Sequence, residues 1–357
     1  MPSFPSSDDI RNALRQVIDP DFQKDIVSLG MVKSIEPAPE RGGVDIHVQL
    51  TTPLCPLKDR FRADIQAAVA ALFDTPADIR VHFSSLSTSA AAPPSVPAER
   101  VWLVASGKGG VGKSTVAFFL ALALQQSGHR VGFLDADVTG PSLPAMLGPD
   151  VAPPRITRKG DEYQIEPVKA HGVQWMSAGF IIEERFPMAW RGPIISKTLL
   201  QLIYATQWAP MDILIVDLPP GTGDVPLTLF QHFPDSSGII VTLPHILAHS
   251  DVARAIELFR MPAFNIPVLG IIENMAYYEP RGPQGPRYYP FGRKAAEDLT
   301  RRYQIPIAGR LPIDPNWNTF PFSQQLEKNH LILPIIHKLT RREGILAHEK
   351  RTAGKHS

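Results

Sequence analysis

Cysteine is almost absent from this sequence: Cys55 is the single one in 357 residues. One thiol cannot close an intrachain disulfide, which fits a reducing compartment. Strong charge of either sign is missing too. A formal net charge of +1 supplies no global basic field for nucleic acid and no acidic field for a cationic partner. Long apolar runs are lacking. The longest, Val116 to Leu124, is far short of the ~20 residues that cross a bilayer. Met1 to Asn12 has neither the basic nor the apolar region of a secretory leader. These absences point to a cytoplasmic protein with no nucleic-acid and no membrane partner.

Proline, by contrast, is plentiful. Its 36 residues are about twice the usual ~5% share, and many sit where connections need stiffening. The length predicts about two domains, and the composition, 44% hydrophobic and 20% charged, is that of a globular chain.

The pattern changes along the chain. Ile10, Leu14, Val17 and Ile18 recur at helical spacing behind Ser7 or Asp8 as a cap, and Asp19-Pro20 is expected to end that helix. Val44 to Leu50 alternates with period two, as a half-buried strand does. Lys58 to Phe73 reads as a helix and Ile79 to Phe83 as a closing strand. Residues 1–83 therefore form a small α/β domain. Ser84 to Ala98 is rich in Ser, Ala and Pro and reads as a linker.

From residue 99 to 345, short apolar runs alternate with helical segments. The runs are Val101 to Ala105, Val131 to Leu134, Ile213 to Val216, Ile239 to Leu243 and Val268 to Ile272. The helices are Lys113 to Ser127, Ile194 to Trp208, Ser250 to Arg260 and Gly292 to Tyr303. This alternation predicts an α/β fold with a doubly wound, mostly parallel sheet. Leu331 to Leu346 reads as a final packing helix. Residues 346–357 read as a polar tail without structure.

The chemistry is concentrated between the first strand and helix of the larger domain. Gly107-Lys108-Gly109-Gly110-Val111-Gly112-Lys113-Ser114 carries the Gly-x-x-x-x-Gly-Lys-Ser spacing in the strand-to-helix context that a phosphate loop requires. Glycines let backbone N–H groups curl around a phosphate, and the helix start aims its positive end at the same anion. Gly107, Lys108, Gly109, Gly110, Val111, Gly112, Lys113, Ser114 and Thr115 are thus the candidate ATP-binding residues. Lys113 is placed to reach the β- and γ-phosphates and Ser114 to put a hydroxyl on Mg²⁺. Ile213 to Val216 ends in Asp217, the Walker B arrangement of an apolar strand followed by a magnesium-holding carboxylate. Asp135-Ala136-Asp137 follows another strand and lies on the ligand side of the sheet.

Lys108, near the start of the loop, marks the deviant Walker A class that includes MinD/ParA-type ATPases. Asp135 to Ser142, Trp190-Arg191-Gly192-Pro193, Asp217 to Asp224 and Glu273-Asn274-Met275 together resemble the Mrp/ApbC-type iron–sulfur cluster carriers. Asp19-Pro20, Ser28-Leu29-Gly30 and Thr51 to Pro56 resemble the small iron–sulfur maturation domain often fused to them. The resemblance implies an ATPase that works as a homodimer. Lys108 would act on the partner's nucleotide, Asp137 would orient the attacking water beside a magnesium set of Ser114, Asp137 and Asp217, and Asn274 would read adenine. It also implies iron–sulfur clients or scaffolds and a cluster bridged by a Cys-x-x-Cys just after the Glu-Asn-Met block. Here that segment, Tyr277 to Tyr289, holds neither cysteine nor histidine. Cys55, in a Pro-flanked turn, and the pair His245 and His249 are the remaining candidate cluster ligands. An ATP-dependent carrier with altered ligation and a cluster-free switch that binds a partner protein both stay open.

Overall fold

A computed structural model describes residues 5–19, 24–38, 41–50, 58–73, 75–85, 96–138, 140–159, 162–181, 192–245, 249–280, 285–293, 295–314 and 329–353. The chain divides into two compact units, Met1–Pro93 and Pro94–Ser357, each taken by itself.

The first unit opens with α1 (Ser7–Ala13). Its cap is Ser6 rather than the expected Ser7 or Asp8. The Ser6 hydroxyl accepts from the Asp9 amide at 3.2 Å while the Asp9 carboxylate accepts from the Ser6 amide at 3.1 Å, a reciprocal capping box. The helix tightens into a 3₁₀ turn at Leu14–Gln16 rather than running to Asp19-Pro20. Asp19 instead belongs to β1 (Ile18–Asp19), paired with β2 (Lys24–Asp25). β3 (Val32–Ala38), unforeseen in the sequence, pairs antiparallel with β4 (Gly43–Leu50), and β4 pairs parallel with β5 (Asp78–Ser85) across α2 (Lys58–Ala70). Ile10, Leu14, Ile46, Val48, Phe61 and Ile65 form the core beneath.

The second unit is built on an eight-stranded sheet and a separate two-stranded hairpin. β6 (Ala98–Ser106), β7 (Val131–Asp135), β8 (Ile156–Lys159), β9 (Glu162–Ile165), β10 (Val168–Ala170), β11 (Val173–Ser177), β12 (Met211–Asp217), β13 (Ser237–Thr242), β14 (Val268–Tyr278) and β15 (Ile307–Ile313) follow in chain order. The sheet order is β10-β11-β7-β12-β6-β13-β14-β15, with β8 and β9 forming a separate hairpin. Within the eight-stranded sheet, among the described residues, only β10 runs antiparallel to its neighbour. β6 lies inside the sheet and the chain leaves it in both directions, which puts a ligand crevice at its carboxyl end.

Helices cover both faces, as the continuous apolar runs require. They are α3 (Lys113–Gln126), α4 (Leu143–Leu147), α5 (Gly192–Ala205), α6 (Asp224–His232), α7 (His249–Phe259), α8 (Ala295–Tyr303) and α9 (Asn329–Ala353). α3 and α9 pack on Trp102, Val104, Ile213 and Val241. α5 to α8 pack on Leu103, Leu214, Val216 and Ile240. Residues 113–124 of α3 are buried nearly all round, the burial of a helix between sheet and second helix.

The C-terminal part of the unit departs from the sequence reading in its helix bounds. α8 begins at Ala295 because Gly292 takes φ 95° in a turn. The expected structureless tail continues α9 as far as Ala353. Pro334 sits inside α9 without ending it.

Candidate functional site

β6 delivers the chain into the phosphate loop and α3 takes it out. Gly110 and Gly112 adopt φ 80° and 77°, conformations that cost a side chain strain. A Cβ on Gly112 would stand 2.3 Å from Asn274 Nδ2. A cleft of about 300 Å³ opens over the loop, with Lys113, Ser114, Thr115, Asp137, Ser142 and Pro220 among its walls.

Lys113 and Asp217 lie at the floor, 6% and 1% exposed at their side chains, with Nζ 2.5 Å from Oδ1. Lys113 Nζ also donates to Ser114 Oγ at 3.4 Å. Burial pushes the Asp217 carboxyl up, and the Lys113 charge pulls against that. The other carboxylate oxygen, Oδ2, is buried with no hydrogen-bond partner among the described residues. A carboxylate oxygen orphaned beside a serine hydroxyl is the donor set a hard cation takes. The residues therefore fit magnesium, which Ser114 and Asp217 would hold.

Asp135, at the end of β7, stands in register with Asp217. It does not line the cleft but organises its wall. Its carboxylate accepts from the amides of Asp137 at 3.1 Å, Ser142 at 3.1 Å and Leu143 at 3.2 Å, and from Ser177 Oγ at 2.9 Å. Burial, and then the neighbouring Asp217 charge, pushes its pKa up to about 6. Asp137 faces the cleft from that loop, accepting from the Gly140 amide at 3.1 Å.

Lys108 is about half exposed, and its Nζ lies 3.0 Å from Asp251 Oδ2 on the first turn of α7 in the same chain. The Lys108 hydrogen bond holds the Asp251 carboxyl below the usual range. Gly107 explains the approach: a Cβ there would fall 2.4 Å from the Asp251 carbonyl carbon. Asn274 sits behind the loop, 3% exposed, where its Nδ2 donates to the Val111 carbonyl at 2.9 Å. Its neighbour Met275 takes φ 52°, a strained geometry for a side-chain-bearing residue.

The segment after Asn274 closes on itself. Tyr278 and Tyr288 exchange backbone bonds of 2.8 and 2.9 Å. Arg287 stacks over Tyr277 at 4.4 Å and Arg293 over Tyr289 at 3.7 Å. Cys55, Trp190 and Arg191 lie outside the described residues. His245 lies outside α7, which begins at His249, so the two do not share a helix. The loop, Ser114, Thr115, Asp137 and Asp217 thus come together as the sequence predicts. Asp135, Ser177 and Asp251 join them with no motif of their own, apart from the Asp-x-Asp run that contains Asp135.

A phosphate loop between strand and helix, a buried Walker B carboxylate and a leading loop lysine define a P-loop NTPase of the deviant Walker A class. Residues 98–329 match the family described as NUBPL iron-transfer P-loop NTPase, and residues 7–82 match the one described as iron-sulfur cluster assembly protein. The chain belongs to this family of iron-transfer P-loop NTPases. It is 40% identical to an iron-sulfur cluster carrier protein of Deinococcus radiodurans over 86% of this chain and 85% of that one. It is also 40% identical to the Fe-S cluster assembly factor HCF101, chloroplastic, of Arabidopsis thaliana, over 87% of this chain and 57% of that one. Among solved structures, a nucleotide-binding protein of Archaeoglobus fulgidus in complex with ADP is 35% identical. It covers 65% of this chain and 89% of its own, with a TM-score of 0.54.

Proposed function

We propose that the chain binds and hydrolyses ATP to drive a step of iron–sulfur protein assembly, as a homodimeric carrier or scaffold. The observation that carries the ATP part is the buried Lys113–Asp217 pair beneath the glycine loop, a cation and a carboxylate stationed where phosphate and magnesium would arrive. Lys113 holds the terminal phosphates and the loop amides cradle them. Magnesium, when bound, neutralises phosphate charge. Asp137 orients the attacking water from the opposite wall. Lys108 completes a partner's site and steadies charge on the transferred group. For that it leaves Asp251. Lys108→Ala should therefore abolish hydrolysis while ADP still binds. Asp251→Asn should lower the protein concentration at which hydrolysis is half-maximal, read from turnover against dilution.

A second reading, a cluster-free switch that docks a partner, is favoured by residues 277–289. Among the described residues Arg287 stacks over Tyr277 and Arg293 over Tyr289, and thiolate or imidazole ligands are absent from that stretch of sequence. Iron and acid-labile sulfide per chain after anaerobic reconstitution separate the two. Stoichiometric cluster in the wild type, lost in Cys55→Ala, supports the carrier. No iron in either protein with ADP binding intact supports the switch.

A further inference from the structure

Ser177 ends β11 directly opposite Asp135 in the parallel register. It is fully buried, so its hydroxyl must find its partners inside the protein. It donates to Asp135 Oδ2 at 2.9 Å and accepts from the Gly179 amide at 3.0 Å. The other three donors to Asp135 come from the very loop it organises, the amides of Asp137, Ser142 and Leu143. Ser177 alone among these four comes from another strand. It ties the stretch that carries Asp137, Ser142 and Leu143 to the sheet beside it.

A second brace comes from the same stretch of chain. A Cβ on Gly179 would lie 2.8 Å from Pro141 Cβ and 3.1 Å from Pro144 Cγ. Bare backbone thus packs against the prolines that flank Ser142. One hydrogen bond and one close packing contact fix this loop from the β11 side, and the loop carries Asp137, Gly140 and Ser142 into the wall of the cleft.

We infer that Ser177 is a positioning residue for ATP hydrolysis: through Asp135 it sets where Asp137 stands over the phosphate loop. This rests on the reading that the cleft hydrolyses ATP. Ser177 does not line the cleft. A displacement of about 1 Å in a positioning group is enough to slow a reaction roughly a hundredfold, whereas Lys113 and the loop amides, which hold the phosphates, belong to other elements. Loss of Ser177 therefore separates turnover from binding.

The test uses the full chain, with ADP stoichiometry and Kd measured by calorimetry and hydrolysis measured at saturating magnesium–ATP. Ser177→Ala should bind one ADP per chain with Kd within about two-fold of wild type and lose about ten-fold or more in kcat. Ser177→Thr, which keeps the hydroxyl, should recover most of that loss. Gly179→Ala, which disturbs the same loop by packing, should repeat it. Ser177→Ala turning over within two-fold of wild type at full ADP stoichiometry overturns the inference. So does a variant whose turnover falls only in step with its ADP-binding fraction, since that is the mark of a merely structural residue. A wild type that binds ADP without hydrolysing ATP overturns the proposed function itself, and the inference with it.

Discussion

At the scale of residues, Lys113 and Asp217 pair at a depth where a lone charge is costly. Removing one partner of such a pair costs about 3–5 kcal/mol, because the other charge is left buried, while replacing both with apolar groups costs far less. Lys113→Met and Asp217→Leu should each lower the urea midpoint of nucleotide-free protein by more than the double variant does, a coupling that a double-mutant cycle reads directly. Asp135 makes a prediction in pH. Its pKa is about 6 when folded against an ordinary 3.8, so the folded state binds the proton more tightly. That contribution to stability is complete below about pH 4 and is lost as pH rises through about 6. The melting temperature of nucleotide-free protein should fall across this window, with a shallower slope in Asp135→Asn.

At the scale of elements, the outer strands depend on glycines that admit their neighbours. A Cβ on Gly309 of β15 would meet Ile335 Cγ1 of α9 at 2.4 Å. Gly309→Ala must push α9 outward, at a cost of about 1–3 kcal/mol, and a denaturant melt should show it. These are also the elements that were hard to read in the sequence. β15 carries a glycine and a proline among its apolar residues, and β10 has three residues, so neither presents a periodic pattern. α6 starts directly after a Pro- and Gly-rich loop and has a proline in its own first turn, which hides it in what looks like a continuing loop. The inner strands and α3 were legible because they are unbroken apolar runs. The phosphate loop was legible because all its parts are adjacent in sequence. Asp251 and Ser177 were not, since each reaches the site only through pairing or packing between segments far apart in the chain. The bond of Asn274 to Val111 likewise spans 163 residues, and no local pattern announces it.

At the scale of the whole molecule, every group of the ATP site named above lies in Pro94–Ser357, a compact unit distinct from Met1–Pro93. A polypeptide of residues 94–357 should therefore bind ADP with the Kd of the full chain, and calorimetry on the two proteins checks it. The Lys113–Asp217 pair has a kinetic consequence. Nucleotide does not enter a blank site but displaces a competitor built into the chain, since a phosphate must win Lys113 away from a carboxylate 2.5 Å from it. Association should then be slower than encounter and only weakly dependent on salt, because the rate is set by an exchange of partners out of reach of bulk ions.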